Sequence, residues 1–255
     1  MRILAVTCYT GPEKLVKMTE SCVQGLVDSP TDQHEVDLCV SAYGQGAERM
    51  AFGASVSTNQ EENKGFAHGM NAAIDMGLRA MIAGPPDYVL CFNNDLRFPR
   101  LYWLAKLLDA AVPNRVCVPA TNRAAIRIQK GPINGVPIDV PEMSAYCWLV
   151  PFKWCQWLKE HMGWWLFDPA FYAYGEDNWT AFMLSKQYGR NVFRYVRRSF
   201  VDHCHGRTSK HVKPDRRLSN RLLVDRLTAQ LKYPKLRGDL REWAQRYIAI
   251  LKPGC

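Results

Sequence analysis

The run Tyr88-Val89-Leu90-Cys91-Phe92 is apolar throughout and stops on Asn93-Asn94-Asp95. An uninterrupted apolar run of this length reads as a buried strand, which commits the chain to a core built around a sheet. In open α/β sheets ligands bind outside the carboxyl ends of the strands, so two amides and a carboxylate stand where chemistry is done. An aspartate there can hold a divalent cation, and the cation can hold a diphosphate. The same three residues could equally make a turn by bonding their own backbone.

The flanking sequence alternates strand and helix signals. Residues 2–7 are strand-like, and Thr10-Gly11-Pro12-Glu13 starts a helix, with Thr10 as N-cap and Glu13 closing a capping box. A second strand over Val36 to Val40 leads into Ser41-Ala42-Tyr43-Gly44. A short strand near Ala54–Ser57 precedes a helix carrying Met70, Ala73, Ile74, Gly77 and Met81, which Pro85-Pro86 ends. Phe98-Pro99 starts a further helix, and Val116 to Val118 reads as another strand. This alternation predicts an α/β fold with a mostly parallel central sheet and helices on both faces. Neither a complete dinucleotide fingerprint nor a P-loop is present.

Composition narrows the class. A chain of 255 residues with 47% hydrophobic and 22% charged content is an ordinary globular protein. No stretch approaches the roughly 20 apolar residues of a membrane span. The nine cysteines are scattered, form no C-x-x-C pair and often sit in apolar runs, which suits a reduced, cytoplasmic setting. Charge is uneven: residues 190–255 hold 17 Lys/Arg against 5 Asp/Glu, while residues 1–189 are at −3. A basic tail of this kind either binds an anionic partner or is a solvated helical surface.

Two further clusters carry chemistry. Glu176-Asp177 sits among bulky aromatics and opens a helix containing Trp179, Phe182 and Met183. Acidic residues there complement the helix dipole, and one of them could also serve as general base for an acceptor hydroxyl. Adjacent carboxylates at a helix start cannot both face one site, so only one is the base. Downstream, Asp202-His203-Cys204-His205 ends a strand, where one imidazole could join an aspartate on Mn²⁺ or Mg²⁺. Between these, residues 146–179 are dense in aromatics, including Trp148, Trp164 and Tyr174. Flat rings can floor an acceptor site, although core packing takes more than half of them.

The order of these pieces resembles the inverting GT-A-fold glycosyltransferases of family 2. The matching pieces are Thr7–Thr10, Ser41–Tyr43, Asn63-Lys64-Gly65-Phe66…Asn71, Asn93-Asn94-Asp95, and Phe167-Asp168 through Glu176-Asp177 to His203–Ser209. The resemblance implies a GT-A domain over 1–209, with a nucleotide-sugar half (1–125) and an acceptor half (126–209), followed by a basic helical extension over 210–255. It implies that Asp95 and His203 hold the metal, with His205 as the other choice of imidazole. It implies that Asp177, beside Glu176, is the catalytic base. Thr7, Tyr9, Tyr43, Asn63, Gly65, Asn71 and Asn94 would contact the donor, a UDP-hexose. This chain departs from the family in two places. Asn93 replaces the first aspartate of D-x-D, and Ser-Ala-Tyr ends the second strand where the family carries a base-reading aspartate.

The expected activity is metal-dependent, inverting transfer of a hexose to an acceptor hydroxyl. Trp148, Tyr174, Arg216 and Arg217 are expected at the acceptor, and the basic tail favours nucleic acid, including a modified DNA base. The competing expectations are a surface glycan or lipid-linked saccharide as acceptor, and a non-catalytic binding module.

Overall fold

The computed structural model describes residues 1–10, 13–31, 34–43, 56–60, 64–122, 135–141, 143–172, 175–204 and Val224. The basic helical extension expected over 210–255 lies outside the described residues, Val224 apart.

Strands β1 (Arg2–Thr10), β2 (Glu35–Tyr43), β3 (Val56–Gln60) and β4 (Tyr88–Phe92) run parallel in the order β3-β2-β1-β4. Helix α1 (Glu13–Val27) joins β1 to β2, and α2 (Phe66–Ala80) joins β3 to β4. The first crossover moves one way across the sheet and the second moves back. Right-handed crossovers in opposite directions place their helices on opposite faces, as the alternation predicts. All residues of β4 are buried, as its unbroken apolar run requires. On α2 the buried residues Ala67, Met70, Ala73, Ile74 and Gly77 recur at helical spacing, and Gly77 lets the helix close onto Leu4 and Cys39.

Beyond β4 the sheet becomes mixed. Strand β8 (Cys147–Pro151) lies antiparallel between β4 and β6 (Val116–Thr121), and β9 (Phe193–His203) runs parallel to β6. The short strands β5 (Leu96–Arg97) and β7 (Ile138–Val140) add antiparallel to β9. Six of the nine described strands therefore share one direction. Residues expected in the acceptor half thus supply β8 and β9 to the same sheet as β1–β4.

Three helices complete the described chain: α3 (Trp103–Asp109), α4 (Phe152–Met162) and α5 (Glu176–Tyr188). The helix expected from Phe98-Pro99 begins only at Trp103. Phe98 is drawn aside to stack on Trp103 at 4.4 Å and to pack against Gly25, while the Trp103 indole donates to Ser29 Oγ at 2.7 Å. Burying two rings there outweighs one more helical turn.

Candidate functional site

The carboxyl ends of β1, β4, β6 and β9 open on one edge of the sheet, and the polar residues gather there. Neighbouring crossovers diverge at β1, the switch point at which such sheets bind ligands. Asp95 follows β4 and enters β5, whose Leu96 pairs with His203 at the end of β9. That antiparallel ladder brings Asp95 Oδ1 to 3.2 Å from His203 Nε2, with both side chains almost wholly buried. The Cys204 amide donates to the Asp95 carbonyl at 3.1 Å and locks the pairing. Asn93 Nδ2 lies 3.4 Å from the same imidazole nitrogen, while Asn93 Oδ1 is buried with no hydrogen-bond partner among the described residues.

The loop entering β8 ties this pair to the acidic helix. The Asn93 amide donates to the Tyr146 carbonyl at 2.9 Å, and the Tyr146 ring stacks on His203 at 5.6 Å. One residue earlier, the Ala145 amide donates to Asp177 Oδ2 at 3.3 Å; Asp177 Oδ1 accepts from the Asn178 amide at 2.8 Å. Burial pushes the Asp177 carboxyl above the usual aspartate value, and these backbone N–H groups only partly offset it. The Cys8 thiol is pushed up to about 12, first by burial and then by the Glu176 charge. Of the two adjacent carboxylates, Asp177 is the one bonded to the loop entering β8.

Several residues expected at the donor make contacts within the protein. Thr7 is fully buried and its hydroxyl donates to the Phe92 carbonyl at 2.7 Å, so it joins β1 to β4. Tyr9 is only 1% exposed. The Asn71 amide is engaged at both ends: Nδ2 donates to the Phe167 carbonyl at 2.6 Å, and Oδ1 accepts from the Leu166 and Phe167 amides at 2.9 and 3.2 Å. Gly65, at φ +99°, sits where any Cβ would overlap the Tyr172 carbonyl, to which the Phe66 amide donates at 2.6 Å. Gly65 and Asn71 thereby clamp residues 166–172, the segment that delivers Glu176 and Asp177. Asn94 donates to Thr19 Oγ1 on α1 at 2.9 Å.

Trp148, expected at the acceptor, is a core residue instead. It is 0% exposed, packs against Phe167 and Phe193, and donates its indole N–H to the Ser144 carbonyl at 3.0 Å. As part of the central strand β8 its side chain has no route to solvent. Asn63, Tyr174, His205, Arg216 and Arg217 lie outside the described residues, as does the side chain of Tyr43. Sequence reasoning missed Asn122, whose Oδ1 accepts from the His203 amide at 3.0 Å. The signal was available: Asn122 follows the carboxyl end of β6 as Asn93 follows β4.

The donor set suits a hard divalent ion. Among the described residues no group of three His, Cys, Asp or Glu side chains could hold a metal. One carboxylate and one imidazole do meet, with the Asn93 amide beside the imidazole, and a carboxylate with a single imidazole nitrogen fits Mn²⁺ or Mg²⁺.

No family model and no curated protein matches the sequence. Solved structures do match. The mannosyltransferase PcManGT from Pyrobaculum calidifontis, in complex with GDP-Man and Mn²⁺, aligns at a TM-score of 0.56 and 15% identity over 98% of this chain and 73% of that one. S. aureus TarS in complex with UDP aligns at 0.56 and 11%, over 99% of this chain and 71% of that chain. The chain has a GT-A fold. A third GT-A-fold protein, glucosyl-3-phosphoglycerate synthase from Mycobacterium tuberculosis in complex with Mn²⁺, UDP and phosphoglyceric acid, aligns at 0.52 and 13%, over 89% and 78%. Within the GT-A fold of this chain, the edge bearing Asp95, His203 and Asp177 is the carboxyl edge of the parallel strands. Among the described residues no helix is long and apolar enough to cross a membrane.

Proposed function

We propose that this protein is a metal-dependent inverting glycosyltransferase that moves a hexose from a nucleoside diphosphate sugar, UDP-hexose first, to an acceptor hydroxyl. The observation that carries the reading is the Asp95–His203 pair at 3.2 Å, joined through consecutive residues Ala145 and Tyr146 to Asp177. Asp95, His203 and Asn93 are the residues that would hold the ion. A bound Mn²⁺ or Mg²⁺ would neutralise negative charge on the departing diphosphate. The nucleotide-bound structures of PcManGT, TarS and the synthase support a donor of this class.

Asp177 has the properties of the base. Its raised proton affinity makes it a better acceptor for a hydroxyl proton than an ordinary surface aspartate, and two backbone N–H groups fix its orientation. Attack by that hydroxyl on the anomeric carbon, opposite the departing diphosphate, is a single displacement and inverts the centre. Glu176, in the first turn of α5, complements the helix dipole, and Asp177 takes the proton. The acceptor we assign is anionic, with nucleic acid and a modified DNA base as its leading form, on the charge split between tail and body.

The deciding experiment incubates the protein with a panel of UDP- and GDP-sugars and Mn²⁺ and measures nucleoside diphosphate release. Release that disappears in Asp177→Asn supports the assignment. A protein that binds the sugar nucleotides yet releases no diphosphate with any acceptor would be a binding module instead.

A further inference from the structure

Opposite the Pro119–Ala120 step of β6, β9 holds three extra residues, since Val196 pairs with Pro119 and Phe200 with Ala120. The insert is Arg197-Arg198-Ser199. Ser199 is buried, and its hydroxyl donates to the Trp103 carbonyl at 2.8 Å, which pins the bulge against α3. The two arginines are left outside the ladder, Arg198 exposed and Arg197 partly buried. Bulges of this kind re-aim side chains away from the sheet. Arg197 lies over the Tyr195 ring at 6.0 Å and beside Gly135, whose φ of +136° brings bare backbone against the guanidinium. Among the described residues its Nε has no hydrogen-bond partner. A guanidinium N–H left unsatisfied is costly, and an oxyanion that offers two oxygens, as a phosphate does, is the ligand a guanidinium engages.

The bulge continues a basic edge. Toward the start of β9, Arg194 and Arg115 share Asp139 at 2.9 and 3.1 Å. Toward its end, Arg100 lies over the Phe200 ring at 5.8 Å, and Arg97 of β5 pairs with Asp202. Six arginines thus face two carboxylates along this edge. Among the described residues no strand pairs with it between Tyr195, which meets β7, and Asp202, which meets β5. At about 3.3 Å per ladder step, the edge runs roughly 20 Å from Arg194 to His203.

We propose that this edge of β9 binds the phosphates of a single-stranded nucleic acid and leads the strand to the Asp95–His203 end of the sheet. The proposal rests on the sugar-transfer reading for what happens at that end, and on the arginines alone for the binding. Every cation along the edge is arginine, whose flat fork engages phosphate oxygens in pairs and stacks on rings. Single-stranded sites combine a basic groove with aromatic side chains on which bases stack, and the half-buried Phe200 beneath Arg100 is such a ring. The charges follow one strand rather than encircling an apolar patch, which is the arrangement an anionic lipid surface would need. The exposed Leu101 and Tyr102 nearby make that surface the alternative to exclude.

The test uses the full chain and a fluorescent single-stranded DNA oligomer, with binding followed by anisotropy across a salt series. Each phosphate contact in single strands contributes about 0.7 to the slope of log affinity against log salt. An Arg100→Ala, Arg197→Ala, Arg198→Ala variant should lower the slope by about 2 and weaken binding on the order of tenfold or more. Arg79→Ala, an exposed arginine of α2 paired with Asp75, should change neither. Should the triple variant fold poorly, Arg198→Ala alone should lower the slope by about 0.7. An unchanged slope in folded variants overturns the proposal. So does a result in which the variants lose binding to anionic phospholipid vesicles but not to DNA. UDP-sugar binding with Mn²⁺ is measured on the same preparations. Its absence in the parent protein sinks the transferase reading and leaves the arginine edge standing or falling on the DNA data.

Discussion

Asp95 and His203 meet at 3.2 Å although they lie 108 positions apart, because the two-residue strand β5 pairs antiparallel with the last two residues of β9. That short ladder turns a strand-end aspartate into half of a candidate metal site, and it fixes what disruption should do.

Divalent ion dependence follows directly. Chelation should abolish diphosphate release, and Mn²⁺ should restore it. In the Asp95→Ala, His203→Ala double variant, Mn²⁺ should no longer raise the melting temperature in the presence of UDP, because a ligand stabilises only a state that binds it. A double variant with full activity would end the metal assignment.

Replacing the Asp177 carboxyl separates proton transfer from binding. Asp177→Asn should lower turnover on the order of 10²–10⁴-fold with donor affinity little changed. Burial raises the Asp177 value in the folded state, so the carboxylate forms only at a higher pH than for a free aspartate. The acid limb of the rate profile should therefore lie above the usual aspartate range. The stability sign is the reverse: the contribution is greatest at low pH, where the group is protonated in both states, and falls as pH rises through the unfolded value toward the folded one. At neutral pH the Asn variant should be no less stable than the parent. Thermal melts and rate profiles over the same pH series read both effects.

Asn71→Ala removes three hydrogen bonds that hold Leu166 and Phe167. Leaving those backbone groups unsatisfied should cost about 1–3 kcal/mol in urea unfolding. Turnover should fall as well, since the released segment carries Asp177. A variant that loses nucleotide affinity but neither stability nor turnover would return Asn71 to the donor pocket.

Trp148→Ala opens a cavity between Phe167 and Phe193 and should cost about 3–5 kcal/mol. Trp148→Phe, which fills most of that space, should cost far less and leave the acceptor constant untouched. An acceptor constant that rises in a stable Trp148→Phe variant would place the ring at the substrate after all.

The parallel half of the fold is legible in the amino-acid order alone. The unbroken apolar run of β4, the helical spacing on α2 and the strand–helix alternation are local patterns, set by which side chains must leave water. The same order places polar residues at strand ends, since Asn93, Asp95 and His203 each follow or finish an apolar run. Which partners each of them meets depends on the folded sheet. Asn71 and Gly65 read as ligand contacts, yet their partners at residues 166–172 lie about a hundred positions away and have no local signature. Trp148 read as a sugar platform because one aromatic looks like another until a sheet has an inside; the insertion of β8 between β4 and β6 supplies that inside. The bond between Asp177 and Ala145 likewise exists only because the loop entering β8 reaches the start of α5. Periodicity records burial along one element, whereas hydrogen-bond partners and charge neighbours depend on which elements meet, and only the folded sheet brings those together.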